Sequence, residues 1–309
     1  MMQPGMSEFV AEFEQHIPGD FHTRPIAEQR RLYRSLPGIF RYERPAGVTV
    51  RDSVVPGRDA AVPVRIYTPP RAEPGVLCYV RGDGFGLGTL DTHDTIAAEL
   101  ADKTGHVTVF ADVRGAPEHK FPAALHDLRA VLGAAASDPG SFGAAPGPLG
   151  VVGDSSGGNL AVANCLMARD EGGPDIACHG LVSPVLDLSR WVKGGTDAPI
   201  LSAGEMAYLA ENYVADLDDL LDPLVSPLRA TDFAGLPPAT ILATELDSLR
   251  DDAVTYARHL AEAGVLVTLT VEPGLVHAPL RSRGMCTAAA RAWSGFCTSL
   301  AHLMERTGS

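Results

Sequence analysis

Basic residues are scarce in this 309-residue chain: 25 Lys and Arg stand against 38 Asp and Glu, a formal net charge of −13. That balance argues against nucleic acid and anionic membrane surfaces as main partners. Long apolar runs are missing too, with no stretch approaching the ~18 residues of a membrane span. The opening MMQPGMSEFVAEFEQHIPGD has no basic segment followed by an apolar one, so no secretory signal is expected. There is no Cys-x-x-Cys pair. The five cysteines, Cys78, Cys165, Cys178, Cys286 and Cys297, are odd in number and several lie in apolar runs. Reduced, buried thiols in a cytoplasmic chain are the expectation. No cluster has zinc-ligand spacing, so no metal site is expected. No period of 20–50 residues marks a solenoid.

What is present is an ordinary globular composition, 45% hydrophobic and 20% charged. The length fits one large α/β domain with an insertion. The first 45 residues are polar, with Phe9, Phe13, Ile26, Leu32, Tyr33 and Phe40 spaced as on amphipathic helices. Val48, Val50, Val54 and then Val62, Val64, Ile66 alternate with polar residues, predicting two antiparallel strands around the turn at Pro56-Gly57-Arg58-Asp59. From Gly75 onward, apolar strands alternate with helices: strands over 76–80, 106–113, 148–153, 179–185, 238–246 and 265–272, helices over 92–105, 121–136, 156–170, 250–264 and 284–306. This is the signature of a mostly parallel sheet covered on both faces. The stretch between the strands at 179–185 and 238–246 interrupts the alternation and includes AGEMAYLAENYVADLDDLL, predicted helical. Such a length suggests an insertion. The expected division is an N-terminal helical part of a cap (1–45), a core (46–188 and 231–309) and a cap insertion (189–230).

The corner at 150–160 reads GVVGDSSGGNL and contains Gly153-Asp154-Ser155-Ser156-Gly157, a G-x-S-x-G. The pentapeptide alone is weak. Its place between an apolar strand and a helix is what a nucleophile elbow requires, with flanking glycines that permit the sharp turn and a helix N-terminus that favours a forming alkoxide. The acid and the base should follow in that order. Asp247 lies just past one strand and His277 in the loop after the next, so a parallel sheet brings all three to one edge. His277 would take the Ser155 proton, and Asp247 would fix the imidazole tautomer. Asp251 and Asp252 are rival acids that fall a turn into the next helix. The other histidines are read as solvated or structurally hydrogen-bonded.

With these residues in place, the chain resembles the hormone-sensitive lipase-like group of α/β-hydrolases, microbial esterases with a GDSAGGNLA elbow. The matching blocks are VPVRIYTP (62–69), FGLGTLDTHD (85–94), DVRGAPEHKFPAAL (112–125), GDSSGGNLAVA (153–163), the run from Asp222 to Asp252 and LVHAP (275–279). The resemblance implies an α/β-hydrolase fold with a helical cap, the triad Ser155, Asp247 and His277, and cofactor-free hydrolysis of short to medium acyl esters. It implies structural roles for Arg114 and Glu118. It also implies an oxyanion hole built from the amides of Asp83, Gly84 and Ser156. Candidate substrate contacts are Arg81 and Phe85 in the loop, with Tyr33, Phe40, Trp191, Tyr208 and Tyr213 as aromatics of an apolar cavity.

The departure that touches chemistry is Arg81-Gly82-Asp83-Gly84, where the family has HGGG. A carboxylate about 4 Å from a developing oxyanion would oppose it by about 4 kcal/mol at an effective dielectric of 20. Three outcomes are open: Asp83 turns away and pairs with Arg81 or an N-terminal cation, it faces the substrate and takes part, or it inactivates the site. A φ above zero at position 83 would add strain. Ser156 further replaces the family's Ala, and Ser248 and Pro279 are smaller departures. The expected activity is hydrolysis of a small or medium carboxylic ester through an acyl-enzyme on Ser155. The alternatives are a dehydratase, cyclase, lactonase or acyl transferase that uses Asp83, or a non-catalytic ligand-binding protein. The small-molecule acyl substrate is not specified further, and the oligomeric state is open, a homodimer included.

Overall fold

Eight strands form one sheet in the computed structural model, which describes residues 1–307. They are β1 (Thr49–Val55), β2 (Val62–Thr68), β3 (Glu73–Val80), β4 (His106–Ala111), β5 (Leu149–Asp154), β6 (Cys178–Val182), β7 (Ala239–Thr244) and β8 (Val267–Glu272), in the order β1-β2-β4-β3-β5-β6-β7-β8. The hairpin β1–β2 is antiparallel, β2 joins β4 antiparallel, and every later pairing is parallel. The chain has the α/β-hydrolase fold. Interior strands are buried along their whole length because both faces are covered: all six residues of β4 and of β7 are buried, His106, Thr108, Thr240 and Thr244 among them.

The helices are α1 (Met6–His16), α2 (Ile26–Ile39), α3 (Asp94–Thr104), α4 (Ala123–Ser137), α5 (Ser156–Glu171), α6 (Ala203–Tyr213), α7 (Arg250–Glu262), α8 (Pro279–Ser282) and α9 (Thr287–Thr307). Alternation along β3 shows the two layers. Val76, Cys78 and Val80 join a cluster with residues of α4, α5 and α7, while Leu77 and Tyr79 join one with α1, α3 and α9. Phe9 and Trp293, fully buried in the second cluster, tie the N-terminal helix to the core.

The helix predicted over 203–221 is two pieces. It stops at Tyr213, and Asp216 starts a separate 3-10 turn over Leu217–Leu221 by accepting the Asp218 amide at 3.0 Å. An aspartate that bonds the backbone two residues on competes with a continuous helix.

Candidate active site

The elbow is enforced locally. β5 ends at Asp154 and α5 begins at Ser156, so Ser155 occupies the corner with φ 49° and ψ −118°. That conformation costs on the order of 1–3 kcal/mol and persists only where the surroundings dictate it. Here the Ser155 amide donates to the Val182 carbonyl at 2.9 Å. Gly153 and Gly157 are required by close approach: a Cβ on Gly153 would lie 2.2 Å from the Gly157 oxygen, and one on Gly157 2.2 Å from the Val80 oxygen.

Two loops deliver the partners. The loop after β7 carries Asp247 and the loop after β8 carries His277. They are sewn together by the Leu246 amide donating to the Leu275 carbonyl at 2.9 Å and the Gly274 amide to the Glu245 carboxylate at 2.7 Å. His277 Nε2 lies 3.1 Å from Ser155 Oγ, and His277 Nδ1 lies 2.8 Å from Asp247 Oδ2. Asp247 is further held by the Leu249 amide at 2.9 Å and the Thr244 hydroxyl at 3.2 Å. Burial alone would lower the pKa of His277, but Asp247, helped by Asp154 and Glu205, raises it above the ordinary histidine value. Burial would raise that of Asp247, yet His277 and the Leu249 amide hold it below the ordinary carboxylate value. The rival acid Asp252 is committed elsewhere, accepting the amides of Leu186 and Asp187 and pairing with Arg190 at 3.0 Å.

The Asp83 carboxylate is taken up by partners within its own loop. Its Oδ2 accepts from Arg81 Nε and from the Gly88 amide, both at 2.7 Å, and Arg81 also reaches Asp112 at 2.7 Å. Arg81 and Asp83 are each 5% exposed. The strain feared at position 83 falls instead on Gly84 (φ 61°) and Phe85 (φ 67°). A Cβ on Gly88 would crowd Thr92 Oγ1 at 2.7 Å and Asp83 Oδ2 at 2.9 Å. From the other side, α2 fastens the loop: the Tyr33 hydroxyl donates to the Gly82 carbonyl at 2.7 Å, Arg30 to that of Gly86 at 2.9 Å, and Arg34 to that of Leu87 at 3.3 Å.

Of the three amides expected to form the oxyanion hole, that of Asp83 already has an acceptor. It donates to Ser156 Oγ at 3.1 Å, as does the Phe85 amide at 3.3 Å. The extra hydroxyl relative to alanine accounts for the difference.

A cavity of about 70 Å³ opens over Ser155 and His277. Tyr33 and Phe85 line it, as expected of them. Five other expected contacts do not. Arg81 is sequestered by its two carboxylates. Phe40 packs against Phe9, ring centroids 4.9 Å apart. Trp191 is buried under the Arg190 guanidinium and borders a separate cleft. The Tyr208 hydroxyl accepts from Gln29 at 2.8 Å, linking α6 to α2. Tyr213 stacks behind Phe85 at 3.8 Å. The cavity is completed by residues not expected at the substrate, among them Phe13, His93, Glu205, Leu209 and Arg281. Their signals were ordinary ones: Ser202-x-x-Glu205 looks like a plain helix start, and Arg281 follows His277 by four residues with no motif around it. His93 is of the structurally hydrogen-bonded kind, buried with Nε2 3.2 Å from Arg281 Nη2. Arg114 and Glu118 make structural pairs, with Asp127 at 2.8 Å and Arg30 at 2.6 Å. Among the described residues, no group of three or more His, Cys, Asp or Glu is placed to hold a metal ion. No helix there is long and apolar enough to cross a membrane.

Known proteins share this arrangement of sequence and fold. The family pattern described as alpha/beta hydrolase fold matches residues 77–281. A carboxylesterase of Mycobacterium tuberculosis, NlhH, is 38% identical over 241 residues, 75% of each chain. An arylesterase of Saccharolobus solfataricus is 35% identical over 291 residues, 91% of this chain and 93% of its own. Among solved structures, a hyperthermophilic esterase of the archaeon Pyrobaculum calidifontis superposes with a TM-score of 0.88 at 30% identity, covering 100% of this chain and 99% of that one.

Proposed function

The chain belongs to the α/β-hydrolase family, and from that premise we propose how its carboxylesterase chemistry is carried out. Ser155 is the nucleophile, His277 the general base and Asp247 the residue that orients the imidazole. The observation that carries this assignment is the continuous chain Ser155–His277–Asp247, with contacts of 3.1 and 2.8 Å. His277 removes the Ser155 proton as Oγ attacks the ester carbonyl, then returns it to the leaving alcohol. The acyl-enzyme is cleaved by water activated in the same way. The Asp247 carboxylate stabilises the imidazolium formed in each half.

The oxyanion is received by the amides of Gly84 and Ser156. Ser156 opens α5, where no intrahelical acceptor reaches its N–H, and the helix N-terminus adds partial positive charge. The Asp83 amide becomes a third donor only when the Ser156 hydroxyl gives way. The RGDG loop is therefore a working oxyanion loop whose carboxylate is neutralised by Arg81, not a participant in the reaction. Nothing in the esterase relatives favours dehydration, cyclisation or a non-catalytic role.

We assign the cap to residues 1–45 and 189–230. The supports are the Gln29–Tyr208 hydrogen bond between its two parts and the cavity wall drawn from Phe13, Tyr33, Leu201 and Leu209. The narrow apolar space suits short to medium acyl esters. Five buried free thiols fit a reducing, cytoplasmic setting, and the outer edge of β8 gives two copies a place to pair. The test is hydrolysis of p-nitrophenyl acetate and butyrate beside Ser155→Ala. Turnover that falls by ~10⁴-fold or more in the variant supports the assignment. Equal turnover in both proteins overturns it.

A further inference from the structure

The unused acid in this cavity is Glu205. It is the third residue of α6, and its amide donates to the Ser202 hydroxyl at 3.1 Å in the first half of a capping box. In a full box the glutamate carboxylate returns to the N-cap amide. That second half is not made here. The carboxyl lies on the cavity wall with Ser155 and His277 instead, close enough for electrostatic coupling to the imidazole.

Every other charged group on this wall is accounted for. Asp154 accepts from the Tyr79 hydroxyl at 2.7 Å and the Gly82 amide at 2.9 Å. Asp83 is paired with Arg81, and His277 is bound to Asp247. Arg281 donates to the Tyr33 hydroxyl at 2.9 Å and the Thr92 carbonyl at 3.3 Å. Glu205 has no Lys or Arg partner among the described residues, and its neighbours on the wall include the apolar Leu201, Met206 and Leu209. Burial pushes its carboxyl up to about 7, against the pull of His277. A buried carboxyl with no internal cation either keeps its proton or is completed by a cation brought from outside.

We propose that Glu205 is a specificity-determining residue that selects esters carrying an ammonium group a few bonds from the scissile carbonyl. The inference rests on the esterase reading of Ser155 and His277. The apolar neighbours would pack on the alkyl groups of the ammonium while the carboxylate meets its charge. The cation can enter on the alcohol side or on the acyl side.

Matched pairs of esters test both. Butyrylcholine against 3,3-dimethylbutyl butyrate reports the alcohol side. Ethyl 4-(trimethylammonio)butanoate against ethyl 5,5-dimethylhexanoate reports the acyl side. In each pair only the charge differs. At about pH 8.5, with the carboxyl ionised, the ratio of kcat/KM for cationic over neutral ester is expected to reach about tenfold in one arm. It should fall to about one in Glu205→Gln, whose measurable neutral-ester turnover shows that the variant is folded. A second measurement needs no variant. In the wild type the ratio should decline as pH drops below about 7, because Glu205 takes up a proton there, while proton uptake by His277 slows both esters alike and cancels. Neutral esters cleaved with ratios at or below one in both arms overturn the inference and leave the esterase reading standing. So does a preference that survives Glu205→Gln. Failure to cleave any ester overturns the esterase reading and this inference with it.

Discussion

The wall of the cavity that carries Ser155 and His277, with Asp247 behind the imidazole, hangs from the ends of β5, β7 and β8, whereas the facing wall is assembled from α1, α2 and α6, far apart in the chain. On the first wall, parallel strands put their C-terminal ends on one edge, so order along the chain becomes position in space. On the second, positions follow from pairwise fits such as Tyr208 to Gln29 or Tyr33 to Gly82. The first wall is insensitive to which side chains surround it. The second is defined by them. The loop from Arg81 to Gly88, which meets both walls, shares both characters.

The hardest break is on the strand wall. Asp247→Asn keeps the shape but supports the wrong tautomer of His277, and kcat should fall about 10³–10⁴-fold in an ester assay. Next comes the junction. Arg81→Met leaves Asp83 as a buried carboxylate without its cation, and chemical denaturation should show a loss of about 3–5 kcal/mol. Asp83→Gly combined with Arg81→His should recover most of it, because the stranded charge is gone. A smaller effect has the opposite sign. Ser156→Ala frees the Asp83 amide to receive the oxyanion, and kcat should rise by about tenfold, part of what one oxyanion donor supplies. Smallest is the pH effect. Asp247 raises the pKa of His277, and the base must be neutral to accept a proton. The acid limb of kcat/KM is therefore expected above the ordinary histidine value of 6.5, and Asp247→Asn should move what activity remains to a lower-pH limb.

The same contrast explains what could be read before the structure. Ser155 was legible because a strand, a Gly-flanked serine and a helix occur in sequence, and a local backbone conformation needs only local residues. Asp247 and His277 were legible because each follows a strand directly. The aromatics Trp191, Tyr208 and Tyr213 were expected at the substrate, yet they serve as packing and as a helix-to-helix bond. Nothing along the chain distinguishes an aromatic facing a cavity from one behind it. Glu205 was hidden for the opposite reason, since a serine three residues ahead supplies a complete local explanation for a glutamate. The Arg81–Asp83 pairing stood among the open outcomes, but choosing it required knowing that Asp112 and the Gly88 amide converge on the same spot.

The Arg81–Asp83–Asp112 cluster also sets an order on how such a loop can be acquired by substitution. Starting from an uncharged loop, an aspartate at position 83 arriving first would be buried without a cation, a step costing several kcal/mol. An arginine at position 81 arriving first finds Asp112 already within 2.7 Å. The charged loop is thus accessible by one path and nearly closed by the other, and the two residues are expected to be lost in the reverse sequence. Ancestors or laboratory intermediates carrying Arg81 alone should fold, and those carrying Asp83 alone should not persist.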